Sequence, residues 1–197
     1  MARGTPRAAG ESDARRGLKH SASTGQRVLE TERLILRRLT GEDAAFMLGL
    51  LNEPSWLRFI GDRGVRTLEE ARSYIARGPV DMYARLGFGL YATTLKEDDS
   101  APIGICGLVK RDGLEDVDVG FAFLPEFWGK GYACEAASAV MAYAKSVVGL
   151  KRIVAITAVD NESAARLLEK IGLRFERMVR LSEEGEEVRL FSWEVRP

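Results

Sequence analysis

The spacing of apolar residues changes several times along this chain, and each change marks an element. From Leu29 to Arg37, Leu34 and Leu36 alternate with polar or opposite-face positions, the two-residue period of a strand. Thr40 then precedes Gly41-Glu42-Asp43, a capping-box-like start with Asp at the third helical position. Phe46, Met47, Leu50 and Leu51 give that helix one apolar stripe, and Pro54 is expected to help end it. Trp56 to Ile60 is a short apolar piece of open type. Thr67-Leu68-Glu69-Glu70 is a second capping box, opening a helix that should run to about Arg77.

Strand patterns follow at Gly89–Leu95 and Ile103–Val109, joined by the turn-like Glu97-Asp98-Asp99-Ser100. Val117, Val119, Phe121 and Phe123 alternate with Asp118, Gly120 and Ala122, and this strand ends at Leu124-Pro125. Ala136, Ala137, Val140, Met141 and Ala144 predict a helix from about Ala133 to Val148. Arg152–Ala158 is apolar on both faces, as at a sheet centre. Asn161 caps a last helix carrying Leu167, Leu168 and Ile171, which stops at Gly172. Two closing strands, about Phe175–Leu181 and Val188–Trp193, flank Glu183-Glu184-Gly185. The order is β, two helices, three strands, α, β, α, β, β: an α+β domain with a mixed sheet, spanning residues 28–197. Residues 1–27, rich in Arg, Ala, Gly, Ser and Thr with no hydrophobic period, read as a disordered tail.

Composition narrows the chemistry. The chain has 197 residues, 46% hydrophobic and 29% charged, enough for one domain to bury a core. A formal net charge of zero argues for neither nucleic acid nor a membrane surface as partner. With no run of eighteen apolar residues and no secretory leader pattern, a cytoplasmic location is expected. The one histidine, His20, lies in the tail, which leaves no Ser-His-Asp triad, Cys-His pair or histidine metal site, and no metal is expected. Cys106 and Cys134 have no metal spacing and read as reduced thiols. Cys134 falls at a helix start, which lowers thiol pKa, but activation usually also needs a base.

The most informative stretch is Leu124-Pro125-Glu126-Phe127-Trp128-Gly129-Lys130-Gly131-Tyr132-Ala133-Cys134-Glu135-Ala136. A strand leads into a glycine-rich turn and directly into a helix. Free N–H groups at a helix start, with the positive end of its dipole, make an anion site. Gly129 and Gly131 allow close backbone approach, and Lys130 adds charge, so a pyrophosphate would fit. The spacing matches neither a Walker loop nor a Rossmann fingerprint: the third glycine position of the latter is Cys134. A purely structural turn stays open.

This stretch resembles the acyl-CoA signature of GNAT acetyltransferases, Gln/Arg-x-x-Gly-x-Gly/Ala, with Gly131 and Ala133 matching and Trp128 where Gln or Arg is usual. The Trp-Gly-Lys-Gly-Tyr-Ala form resembles the Rim-like branch of ribosomal-protein N-terminal acetyltransferases. Thr31-Glu32-Arg33-Leu34-Ile35-Leu36-Arg37 is similar to that branch's opening strand. Asp160-Asn161-Glu162-Ser163, continuing through Leu167 to Leu173, is similar to its second CoA-contacting helix. The resemblance covers roughly residues 29–195. It implies the GNAT acyltransferase fold: a central mixed sheet of about six to seven strands flanked by helices and splayed on either side of the CoA loop's helix. It also implies acetyl-CoA as cosubstrate, direct transfer to an amine acceptor, and a monomer or homodimer. The pantetheine arm would pair near Phe123 and Leu124, the pyrophosphate would sit on Trp128, Gly129, Lys130, Gly131, Tyr132 and Ala133, and Asn161 would touch the arm while also capping its helix.

Catalytic roles stay open at this level. A backbone N–H near Phe123 or Leu124 would stabilise the oxyanion, as the family suggests. Asp118 stands where the branch often has Glu and is the candidate base, with a surface or paired carboxylate as the alternative. Glu135 is a second acid, of the kind common in first helical turns. Tyr91 and Tyr132 are unranked. Many GNAT enzymes place a tyrosine where this chain has Leu168, and the Rim-like branch often has Ser where it has Ala164, so Ser163 is the candidate acid. These two departures also admit a non-catalytic acyl-CoA-binding module. An α-amine titrates near about 7.7–8.0 and lysine near about 10.4, so a weak base suits an α-amine of a protein or peptide, with a small-molecule amine as alternative. Trp56, Arg58, Asp62 and Arg63 are candidates to line the acceptor pocket.

Overall fold

The computed structural model describes residues 25–99, 101–183 and 185–195. The tail expected at residues 1–27 lies outside them except for its last three residues, and the first strand already includes Arg27.

The opening run is a hairpin rather than one strand. Strand β1 (Arg27–Glu30) turns at Thr31 and returns as β2 (Leu34–Arg38), antiparallel to it. Thr31 sets this turn: its N–H donates to the Leu34 carbonyl at 3.0 Å, and its hydroxyl accepts from the Leu34 N–H at 3.0 Å. Hydroxyl bonds of this local kind compete with a continuous strand. The sheet therefore has eight strands, not six or seven. The others are β3 (Leu90–Leu95), β4 (Pro102–Val109), β5 (Val117–Phe123), β6 (Arg152–Ala158), β7 (Arg174–Arg180) and β8 (Glu187–Glu194), in the order β1-β2-β3-β4-β5-β6-β8-β7.

Every neighbouring pair is antiparallel except β5 and β6, which run parallel and pair only at Val117↔Ile153 and Asp118↔Val154. Beyond Asp118 the two strands part. The expected splay is thus present, between the strand before the glycine loop and the strand after its helix.

Helices cover both faces. Helix α1 (Ala44–Leu51) follows a 3-10 turn at Gly41–Asp43, and α2 (Pro54–Phe59) follows α1. Pro54 begins α2 at its first position, where a missing N–H costs nothing, instead of merely closing α1. Helix α3 (Leu68–Ile75) continues through a π turn (Ala76–Val80) into α4 (Asp81–Leu86), so the second helical segment runs well past Arg77. Met47, Leu50, Leu51, Trp56 and Ile75 pack with Ala92 and Ile105 on this face. On the other face lie α5 (Tyr132–Ser146) and α6 (Glu162–Lys170), where Val140, Met141 and Leu168 join Leu34, Leu36, Leu108, Val119 and Phe191. Each large apolar side chain buried this way contributes about 1.5–3 kcal/mol.

One charged pair lies inside. Arg37 on β2 and Asp43 form a two-pronged ion pair at 2.9 and 2.7 Å, with both side chains buried. Asp43 Oδ2 also accepts from the Thr40 N–H at 2.8 Å, closing the capping box. Among the described residues, no helix is long and apolar enough to cross a membrane, and no group of three or more His, Cys, Asp or Glu side chains is placed to hold a metal ion.

Candidate active site

A cleft of about 780 Å³ opens where β5 and β6 part, within the size range of small-molecule sites. Its walls come from β5, the loop before α5, the start of α6, and α2.

Strand β5 offers the cleft a free edge. In an antiparallel pair, alternate residues aim their N–H and C=O groups at opposite neighbours. The Leu124 N–H donates to the Ile103 carbonyl at 3.0 Å, so even-numbered residues address β4. Phe121 and Phe123 therefore face the gap, while the Val119 N–H still closes the Asp118↔Val154 bridge to β6. This corrects one expectation: Leu124 has no free backbone donor, because its N–H is held by Ile103 and its carbonyl accepts from the Phe127 N–H at 3.0 Å. The Phe123 carbonyl is taken too, accepting from Trp128 Nε1 at 2.7 Å. That bond explains the tryptophan. Its ring stays 52% exposed while its N–H ties the end of β5 to the glycine loop.

The loop has the geometry its glycines suggested. Gly129 and Gly131 have φ of 72° and 83°, in the left-handed region that favours glycine. Gly131 is the N-cap of α5 and offers no side-chain cap, so the amides of Tyr132, Ala133 and Cys134 begin the helix with no intrahelical partner. Gly129, Gly131, Tyr132, Ala133 and Cys134 all line the cleft; Lys130 and Leu124 do not. The Lys130 ammonium instead lies over the Phe127 ring, 5.4 Å from its centroid.

Behind the loop stands a clamp not anticipated from the sequence. Glu135 Oε1 accepts from the Thr31 hydroxyl at 2.5 Å and the Arg33 N–H at 2.9 Å, and Oε2 from Arg33 Nε at 2.7 Å. Arg33 Nη1 donates to the Lys130 carbonyl at 3.0 Å, and the guanidinium covers the Tyr132 ring at 4.6 Å. Burial alone would push the Glu135 carboxyl up, but these bonds outweigh it and hold the group below the usual range. Glu135 does not line the cleft and is not placed to act as a base.

Asp118 does line the cleft, on the sheet face covered by α1–α3, opposite Val109 of β4. It is 1% exposed. Arg111 Nε donates to Asp118 Oδ2, while Oδ1 has no hydrogen-bond partner. Burial pushes the Asp118 carboxyl up, the Arg111 charge and hydrogen bond and the nearby Ile156 backbone N–H pull it down, and the net direction is up. Arg111 was missed because Lys110-Arg111-Asp112 reads as a solvated turn; the apolar-lined loop position after β4 carries no pattern that marks it.

At the start of α6, Asn161 Oδ1 accepts from the Ala164 N–H at 3.0 Å, and Ser163 is exposed on the cleft wall. Leu168 is buried in the core, so no hydroxyl stands at the position where many GNAT enzymes have tyrosine. Tyr91 is also buried, stacked on Tyr83 at 5.6 Å, with its phenol pushed up by burial, and it is not on the cleft. Burial likewise raises the Cys106 thiol. Of the four acceptor-wall candidates only Trp56 lines the cleft. Arg58 pairs with Asp160 at 2.8 Å, bridging α2 to the β6–α6 loop, and Asp62 is paired with Arg66 at 2.5 Å.

Residues 33–174 match the family model described as Acetyltransferase (GNAT) domain. The chain is 32% identical over 155 residues to an uncharacterised N-acetyltransferase of Bacillus subtilis (strain 168), YoaA, covering 78% of this chain and 86% of that protein. Among solved structures it is similar to RimL, a ribosomal L7/L12 alpha-N-protein acetyltransferase in complex with coenzyme A. That likeness has a TM-score of 0.72 at 17% identity and covers 86% and 98% of the two chains. It is also similar to the microcin C7 self-immunity acetyltransferase MccE in complex with acetyl-CoA and AMP, with a TM-score of 0.71 at 16% identity, covering 89% and 99%. The parted strands, the glycine-opened helix and this match over most of the folded residues agree: the chain belongs to the GNAT acetyltransferase family and is an acetyltransferase.

Proposed function

We propose that this acetyltransferase takes acetyl-CoA and delivers the acetyl group directly to the α-amine of a protein or peptide, as a Rim-like enzyme. The observation that carries the reading is the pairing of a free β5 edge with a helix start that has uncapped amides. Phe121 and the Phe123 N–H can pair with an extended amide-bearing arm as with an added strand. The amides of Tyr132, Ala133 and Cys134, opened by Gly129 and Gly131, suit a pyrophosphate. The Phe123 N–H, which addresses the gap, is the backbone donor left for an oxyanion.

Asp118 is the proposed base, acting through Oδ1. A carboxyl raised above its ordinary range is a better proton acceptor near neutral pH. An α-amine, already partly neutral near pH 7.7–8.0, needs no stronger base, which is why the α-amine is preferred over lysine (about 10.4). The Ser163 hydroxyl on the opposite wall is the proposed proton donor to the departing thiolate, and Asn161 the proposed contact to the arm.

The test is acetyl-CoA turnover with peptides that carry a free or a blocked α-amine and one internal lysine, read by free thiol release and by mass spectrometry. Acetyl on the α-nitrogen alone is expected. Acetyl on lysine in the blocked peptide would overturn the α-amine assignment, and no thiol release by folded protein would overturn the catalytic roles.

A further inference from the structure

The acceptor half of the cleft holds an ion pair of which each member uses only part of its bonding capacity. Arg111 leaves the end of β4 and lies back across β5, above Gly120. A Cβ at Gly120 would stand 3.7 Å from Arg111 Nη2, in ordinary van der Waals contact, so the guanidinium lies directly over this strand position. Arg111 spends its Nε on Asp118 Oδ2. Its Nη1 and Nη2 have no hydrogen-bond partner among the described residues, and the side chain, 27% exposed, lines the cleft. Asp118, beneath it, is buried with Oδ1 unpartnered.

A counter-ion for a buried carboxylate does not require this arrangement. A lysine would neutralise Asp118 as well. A guanidinium held through Nε keeps its Nη1–Nη2 edge fixed, and that edge matches the two oxygens of a carboxylate. Leu50, Phe59, Leu90 and Ile105 line the same cleft, and a charge-assisted bond beside apolar side chains is stronger than in water. The pair thus places donors for an anion directly over a carboxylate whose Oδ1 is buried with no hydrogen-bond partner and can take up an amine proton.

Resting on the acetyl-transfer reading above, we infer that Arg111 is the anion anchor of the acceptor site, and that the acceptor carries a carboxylate a few bonds from the amine that is acetylated. Two sources share this chemistry: a free α-amino acid, through its α-carboxylate, and a peptide whose first residue is Asp or Glu, through its side chain.

The probes are matched pairs. One arm compares α-amino acids with their C-terminal amides. The other compares peptides beginning with Asp or Glu with the same peptides beginning with Asn or Gln. In the wild-type enzyme, kcat/KM for the acid member of one arm should exceed its neutral isostere by about tenfold to a hundredfold, mostly through KM, as loss of a charge-assisted hydrogen bond implies. The arm that discriminates names the source. In Arg111→Gln the ratio should fall to about one, and Arg111→Lys should restore only part of it, lacking the fork. If Arg111 serves only to hold Asp118, both members of each pair lose kcat together and the ratio is unchanged; that result overturns the inference. So does a wild-type ratio within about threefold in both arms. Turnover of amines without any acid preference would leave the acetyl-transfer reading standing while this one falls. Failure of the folded protein to bind acetyl-CoA would remove both.

Discussion

Gly131 is the position at which backbone geometry and cofactor binding can be separated by substitution. Its φ of 83° places any other residue in the left-handed region, at a cost of about 1–2 kcal/mol. For a domain of this size that lowers Tm by roughly 2–8 °C. Gly129, with φ of 72°, carries the same backbone cost, but a Cβ there meets nothing within 4 Å, whereas at Gly131 it meets Arg33 Nη2 at 3.3 Å. Gly129→Ala and Gly131→Ala should therefore lose similar stability, with slightly more at Gly131. Gly131→Asp adds charge. An N-cap aspartate normally stabilises a helix, but from an extended backbone, and the left-handed cap here does not aim the carboxylate at its own N3 amide. Placed about 4 Å from a bound phosphate at an effective dielectric near 20, the carboxylate costs about 4 kcal/mol, roughly a thousandfold in Kd before salt screening. Calorimetric titration with acetyl-CoA, beside thermal unfolding of each variant, measures both effects. Gly131→Asp that unfolds within a few degrees of Gly131→Ala, yet binds acetyl-CoA within threefold of wild type, would refute placement of the pyrophosphate at this loop.

Four further outcomes are expected. Asp118→Asn should lower kcat by about 10²–10⁴-fold, and the wild-type acid limb of kcat/KM should lie above the ordinary carboxylate range and vanish in the variant; a rate loss under tenfold would exclude a base role. The same raised group binds its proton more tightly folded than unfolded, so its contribution to stability falls as pH rises from the ordinary carboxylate range through the folded pKa. Above that window, Asp118→Asn should be at least as stable as wild type in pH-dependent thermal unfolding. Asp43→Ala strands Arg37 in the core and should cost about 3–5 kcal/mol in urea unfolding, where a surface pair would cost under about 1 kcal/mol. Trp128→Phe frees the Phe123 carbonyl and should cost about 0.5–1.5 kcal/mol of stability, and the fluorescence change on acetyl-CoA addition should be smaller in the variant than in the wild type, Trp56 remaining on the cleft wall.

Much of the fold was readable because its signals are local. The two threonine capping boxes, the alternation of Val117 to Phe123 and the glycine spacing before α5 all appear in the structure as geometry over a few residues. Where the reading failed, a local signal was answered by something distant or had two meanings. Pro54 signals a helix end and a helix start alike, and Glu53 being followed by proline at N1 decided for the start. Gly78 and Pro79 look like breakers, yet a π turn carries the chain through them into α4. The glycine loop was legible for the same local reason. The acceptor side was not: Arg111 lies two residues past the end of β4 and Asp118 near the start of β5, and the antiparallel pairing of the two strands brings them together.

The opening hairpin carries the same lesson into function. A carboxylate in the first turn of α5 would favour the helix dipole but oppose a phosphate bound to the same helix end. Glu135 resolves the conflict by facing away from the cleft, where Thr31 and Arg33 take up both of its oxygens. Its charge is matched by the Arg33 guanidinium, which also holds the Lys130 carbonyl inside the loop. The uncapped amides of α5 thus remain for an anion, with the nearby negative charge already paired. The turn at Thr31, which split an apparently single strand in two, is what brings Thr31 and Arg33 to the back of that loop. Thr31 and Arg33 thus support the glycine loop and the start of α5 from behind, although neither lines the cleft.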